Sequence, residues 1–241
     1  MSWHKEPLVG FDLETTGTDV ETDRVVTAAV IRLDAAGRAT PALSWVLDPG
    51  VPIPTEAAAI HGFSTDVVRL SGRPAAEGLA EITDALEAAL RTGIPLVVMN
   101  ARYDLSLLDR ECRRHGIPPL SDRLGTDPAP VVDPLVLDKH LDTYRKGKRT
   151  LQALCAHYGV ALDAAHEAGA DAVAAVEVAR RIGAKHPEVA GLTLPALHAL
   201  QRKAAADQAA SFQRYLRRTA DPAARVEPAW PLIPARVTPH G

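Results

Sequence analysis

The sequence predicts an α/β fold in which helices flank a mixed central sheet, and three observations predict it. First, the chain opens with β-like runs: a short apolar run at 8–13, a β-branched run at 24–33 (RVVTAAVIRL) and a return run at 42–47. Thr15-Thr16-Gly17 and the Gly-containing stretch 34–38 turn the chain between them, so the three read as an antiparallel start. Second, strand-like and helix-like segments alternate after residue 75. A hairpin start followed by such alternation gives a sheet of mixed orientation. Third, 241 residues with 46% hydrophobic and 24% charged content suffice for one sizeable core. Aromatics make up only 4%, so Ala, Val and Leu must fill that core.

Each later segment has a local reason. Pro49, Pro52 and Pro54 break the strand pattern, and short helices are expected at 57–60 and 65–70 around His61-Gly62. At 75–90, Leu79, Ile82, Leu86 and Leu90 make one stripe of an amphipathic helix. A buried-type strand is expected at 95–99 and a helix at 103–115, closed by Gly116. A short strand at 131–133 leads into a helix at 134–140 that carries Pro134 at its first position, where a missing N–H costs nothing. Thr150 caps a helix that runs to Tyr158 with Gly159 behind it. Another helix is expected at 171–182.

After Lys185 the character changes, which divides the chain into a unit at 7–185 and a C-terminal unit at 186–241. One more helix is expected at 194–216, with Leu197, Leu200, Ala204, Phe212 and Leu216 near one face. Pro222, Pro228, Pro231, Pro234 and Pro239 then preclude a helix and suggest an extended tail. The pattern leaves two roles open for this unit: packing on the domain, or a partner surface.

The formal net charge is −3, so there is no bulk pull toward nucleic acid. A nucleic-acid substrate would need local basic patches and bound metal ions. Arg145-Lys146-Gly147-Lys148-Arg149 is the densest basic run, and Arg202, Lys203, Arg214, Arg217 and Arg218 form a looser set. Cys112 and Cys155 lie in apolar helical segments without metal-ligand spacing, so buried free thiols and a cytoplasmic location are expected. Residues 1–7 lack the apolar centre of a signal peptide. No apolar run approaches the roughly 20 residues of a membrane span.

Asp12 and Glu14 are two apart on a predicted strand, so both side chains point to one face. Two like charges side by side are costly to bury unless a cation neutralises them. Hard oxygen ligands suit Mg²⁺ or Mn²⁺. Phe11-Asp12-Leu13-Glu14-Thr15-Thr16-Gly17 resembles the first motif of the DEDDh 3′–5′ exonucleases, a ribonuclease H-like family that includes the proofreading epsilon subunit of bacterial DNA polymerase III. The family's second motif is matched by Asn100-Ala101-Arg102-Tyr103-Asp104. Its third, a His with an Asp five residues on, is matched by His166 and Asp171. Singly, Asp104 and Asp171 would be ordinary helix-start acids. Together and in order, the motifs are specific. On a continuous helix His166 and Asp171 would diverge by roughly 140°. Convergence therefore places His166 in a loop, which Gly169 permits.

The resemblance covers 7–185. It implies that Asp12, Glu14, Asp104 and Asp171 hold two divalent cations, Mg²⁺ or Mn²⁺, and that His166 is the general base. Thr15, Thr16, Ile60 and His61 match positions beside the terminal nucleotide. The implied substrate is a nucleic-acid 3′ end, with DNA favoured and a single-stranded terminus. Implied partners are a polymerase or another replication or repair protein, met through the C-terminal region, and no membrane. An RNA-trimming, oligoribonuclease-like enzyme and a polymerase-tethering module are the rival readings. Met99 and Tyr103 stand where family members often carry His and Phe. Neither is a ligand position.

Overall fold

The computed structural model describes residues 2–162 and 165–235. Strands β1 (Leu8–Thr15), β2 (Val25–Leu33) and β3 (Leu43–Asp48) form the expected antiparallel start. β4 (Arg73–Pro74) joins β3 in parallel, and β5 (Leu96–Val97) and β6 (Val131–Val132) extend the other side of β1 in parallel. The order is β4-β3-β2-β1-β5-β6. β4 gives no sequence signal, being two residues with a proline, which only a sheet edge accepts.

The helices are α1 (Thr55–His61), α2 (Thr65–Ser71), α3 (Ala75–Arg91), α4 (Ala101–Arg114), α5 (Leu120–Leu124), α6 (Pro134–Leu141), α7 (Leu151–Tyr158), α8 (Ala168–Lys185), α9 (Pro187–Ala190) and α10 (Leu194–Thr219). The alternation of β1 divides the layers. Val9, Phe11 and Leu13 pack with Leu79 and Ile82 of α3 and Leu105 of α4. Leu8 packs with Val176 and Ala179 of α8, and Gly10, Asp12 and Glu14 continue along that face. A methyl group on Gly10 would lie 2.5 Å from the Ala172 carbonyl oxygen. Glycine therefore lets the α8 backbone press against β1 beside Asp171.

Asp133 organises the other side of β1. Its buried carboxylate accepts N–H bonds from Asn100 (3.1 Å) and Ala101 (2.9 Å) at the start of α4, and from Leu135 (3.0 Å) and Val136 (3.3 Å) at the start of α6. Trp230 Nε1 donates a fifth bond at 3.1 Å. One side chain thus serves two helix N-termini and the tail, satisfying amides that have no partner within their helices. Asn100 adopts a left-handed backbone (φ 61°) to make this turn, a conformation asparagine tolerates better than most residues.

The C-terminal unit packs on the domain. Gln201 is fully buried; its Oε1 accepts the Asp133 N–H at 2.7 Å and its Nε2 donates to the Val131 carbonyl at 2.9 Å. Ile233 N–H donates to Ser106 Oγ at 2.8 Å, and Arg110 donates to the Ile233 carbonyl at 2.8 Å. Residues 236–241 of the expected tail lie outside the described residues. The expected apolar face of α10 needs correction. Its buried stripe is Leu197, Gln201, Ala204, Ala205 and Ala209, whereas Phe212 is 53% exposed. The helix outruns the surface it packs on.

Gly10→Ala should force α8 away from β1 and destabilise the fold by about 1–3 kcal/mol, read by chemical denaturation. Gln201→Ala strands the Asp133 amide and the Val131 carbonyl, so a loss of about 1–3 kcal/mol is expected there too. Unchanged denaturation midpoints would contradict either account.

Candidate functional site

Three elements deliver the acids. β1 carries Asp12 and Glu14 on the face toward α8, and Asp104 and Asp171 each stand in the first turn of α4 and α8. α4 and α8 begin earlier than the sequence suggests, at Ala101 and Ala168, which turns both aspartates into fourth residues of their helices. Both helix N-termini therefore point their partial positive charge toward the acids.

β5 pairs with β1 only at Val9 and Gly10. The Val9 N–H points to that side, donating to the Pro95 carbonyl, and by strand period so does the N–H of Leu13. Beyond the end of β5 the Leu13 amide has no strand partner there, and it donates instead to Asp104 Oδ1 at 3.1 Å. This bond fixes the α4 aspartate against the β1 pair.

Glu14, His166 and Asp171 each offer a ligand atom, all within 4.8 Å of one another. His166 lies in the loop before α8, exposed and with a left-handed backbone (φ 68°). Its N–H donates to Asp171 Oδ2 at 3.2 Å. Asp171 Oδ1 is buried with no hydrogen-bond partner.

The electrostatics agree with a cation site. Burial, then the charges of Asp104, Asp171 and Glu14, holds the Asp12 carboxyl well above its ordinary range. Burial raises Asp104 as well; the Leu13 amide opposes the shift, and Asp133 and Glu14 add to it. Glu14 is pushed up to about 7 by burial and Asp171. Asp171 is raised by burial against the opposing pull of His166. Among the described residues, no lysine or arginine draws any of the four down. Four enclosed carboxylates without a counter-cation, one with an orphaned oxygen, fit hard divalent ions.

The substrate candidates divide. His61 is buried; its Nδ1 accepts the Phe63 N–H at 3.2 Å, while its Nε2 has no partner. Burial lowers its pKa, and the Thr15 backbone opposes that shift. Ile60 beside it is 56% exposed. Thr15 Oγ1 sits 2.7 Å from the Tyr103 hydroxyl and donates to the Gly17 carbonyl at 2.7 Å. Thr16 is turned inward: its hydroxyl donates to Asp23 at 2.7 Å and accepts the Arg24 N–H at 3.0 Å.

The basic run is also redirected. Arg145 and Arg149 both reach the buried Asp138 carboxylate, Arg145 at 2.6 Å, leaving Lys146 and Lys148 exposed. Sequence reasoning missed Asp133 and the tie made by Tyr103. An Asp just before a Pro-led helix was a readable capping signal for the first. Nothing in the sequence announces the second.

Residues 9–179 match the exonuclease family (RNase_T). The chain belongs to this family, within the DEDD-type 3′–5′ exonucleases of the ribonuclease H-like superfamily. It is 28% identical over 168 residues to DNA polymerase III PolC-type of Lacticaseibacillus paracasei and 29% over 167 residues to that of Streptococcus thermophilus. Each alignment takes 69% of this chain but 10% of the relative, so the chain spans about a tenth of the curated relatives it matches. Its fold is similar to E. coli exonuclease I in complex with a dA16 oligonucleotide (TM-score 0.65, 20% identity, 76% of this chain and 42% of that one). It is likewise similar to exonuclease I of Methylocaldum szegediense (TM-score 0.60, 24% identity, with the same coverages).

The raised carboxyls set a pH dependence. Between the ordinary carboxylate range and about 7, these carboxyls hold more protons in the folded chain than in the unfolded one. Without metal, the stability that these carboxyls contribute therefore falls as pH rises through that window. Mg²⁺ should raise the melting temperature more at about pH 7.5 than at about pH 5, as measured by calorimetry. An equal or reversed effect would contradict a carboxylate-bound cation.

Proposed function

We propose that this protein removes nucleotides one at a time from the 3′ end of DNA by metal-dependent hydrolysis, in proofreading or repair. The observation that carries the proposal is the convergence of Asp12, Glu14, Asp104, Asp171 and His166 from two helix starts, one loop and one strand end, without a counter-cation. The four carboxylates would hold two divalent ions, Mg²⁺ or Mn²⁺. When bound, the ions supply an activated water and stabilise the leaving 3′ oxygen.

His166 takes the proton of the attacking water as general base. Its loop position leaves the ring exposed, and its ring nitrogen lies within 4.8 Å of Glu14 and Asp171 oxygens, within reach of a water held there. The product is a nucleoside 5′-monophosphate. On the other flank, the Thr15 backbone, Ile60 and His61 border the terminal nucleotide. The Thr16 hydroxyl acts indirectly, by shaping the turn.

DNA as substrate is supported by the relatives, a DNA polymerase III and an exonuclease I bound to an oligonucleotide. The same relatives support a polymerase or another replication or repair protein as partner. Both cysteines are buried free thiols, which a reducing cytoplasm favours. Among the described residues no helix is long and apolar enough to cross a membrane.

Degradation of 3′-labelled and 5′-labelled strands, DNA and RNA, paired and mispaired, tests the proposal. Release of labelled mononucleotide from the 3′ label at once, its block by EDTA, and a preference for DNA are expected. His166→Gln should lower kcat by about 10²–10⁴-fold with little change in KM. Asp12→Ala should abolish metal-dependent hydrolysis, and full activity in that variant would overturn the assignment.

A further inference from the structure

α10 keeps one stripe against the domain and then overruns it. At 100° per residue, Phe212 and Tyr215 continue the stripe of Leu197, Gln201 and Ala205. They are nevertheless 53% and 52% exposed. Their rings lie nearly parallel, 13° apart in plane with centroids 6.4 Å apart. Two aromatic faces thus stand uncovered on the side of the helix that looks toward α4 and α6.

A cleft of about 140 Å³ separates that side of α10 from the starts of α4 and α6, and Phe212, Arg102 and Lys139 help line it. Both cations are half-buried, and the charge of Arg102 reaches Lys139. Among the described residues neither has a carboxylate within salt-bridge distance, unlike Arg145 and Arg149. Asp133 also lines the cleft, but its oxygens are already engaged by five donors. Glu227 on the tail is the other acid that acts on Arg102, and it accepts the Ala229 N–H at 2.8 Å. A neighbouring open cleft shares Asn100 and Arg102 and reaches Tyr103 and Thr18. Together the two clefts run from the turn after Glu14 to Phe212, which stacks on Tyr215. Arg102 itself stands two residues before Asp104.

We propose that this track holds the single strand upstream of the 3′ terminus, with Arg102 and Lys139 on its phosphates and Phe212 and Tyr215 against its bases. The inference rests on the exonuclease reading and extends it beyond the terminal nucleotide. Cations lining a groove beside exposed aromatic faces suit single-stranded nucleic acid, because every base has a face to stack. An apolar protein partner would cover the rings but leave Arg102 and Lys139 desolvated and unpaired. The net charge of −3 makes such local cations necessary for capture. α10 also lies outside the family match at 9–179, so the track is built by the C-terminal unit on the exonuclease domain.

The test measures binding of a fluorescent single strand of about 20 nucleotides to the full chain by anisotropy, with EDTA present so that nothing is cut. Phe212→Ser/Tyr215→Ser, at exposed positions that do not hold the fold, should weaken binding about tenfold or more. Arg102→Gln should reduce the slope of log affinity against log salt by about 0.7. Affinity and salt slope unchanged in both variants, with melting temperatures as in the wild type, would overturn the track. Retention of strand affinity with loss of a protein partner in the aromatic variant would overturn it too, in favour of a protein surface. Wild-type hydrolysis of a short nucleotide ester with Mn²⁺ tests the exonuclease reading separately, because such a substrate cannot reach the track.

Discussion

Four carboxylates enclosed together at the end of one strand are the constraint around which this structure is arranged. Burial raises the affinity of all four for protons, and neighbouring carboxylates add to it at Asp12, Glu14 and Asp104. Left to relax, like charges at this spacing would separate or neutralise. The fold holds them by backbone devices rather than by counter-charges. Gly10 brings the α8 backbone against β1. The Leu13 amide, left free where β5 stops, binds Asp104. Two helix starts offer partial positive charge where no lysine or arginine among the described residues does. The arrangement is suited to accept a cation because no side chain among the described residues already plays that part.

Asp133 shows how far this positioning extends. Its carboxylate holds the first amides of α4, and α4 carries Asp104 three residues after Ala101. It is held in turn by Trp230 of the tail, while Gln201 of α10 holds its amide. The C-terminal unit is thereby coupled to the acid cluster through one buried side chain. A segment that resembles an appendage in sequence completes the support of α4. Its exposed Phe212 then lines a cleft beside the start of that helix.

Strain and exposure concentrate at the same place. Among the described residues, Asn100 and His166 are the two non-glycine residues with positive φ, and they precede Asp104 and Asp171 respectively. Such conformations persist where the surroundings over-determine them. At Asn100 the determinant is Asp133. At His166 it is the Asp171 carboxylate, which takes the loop amide and leaves the imidazole outside. The ring is thus presented at the mouth of the site and is not packed within it.

The sequence by itself determined the layered α/β architecture, the order of its main elements and the acidic set. Periodicity is local, so Asp12 and Glu14 could be placed on one strand face before any contact was known. The separation of five between His166 and Asp171 already required a loop. Tertiary structure decided what depends on residues far apart in the chain. It decided that α10 and the tail pack on the domain, because Gln201 and Trp230 find Asp133 some 68 and 97 positions away. It turned Arg145 and Arg149 inward, because the buried Asp138 needs their charge more than solvent does. It withdrew Thr16 into its turn and left Phe212 exposed, since where a helix ends relative to its support is a property of the assembled surface. The chemistry of the acids was legible because charge and spacing are written in order along the chain. The groove beside them was not, because a groove exists only between elements.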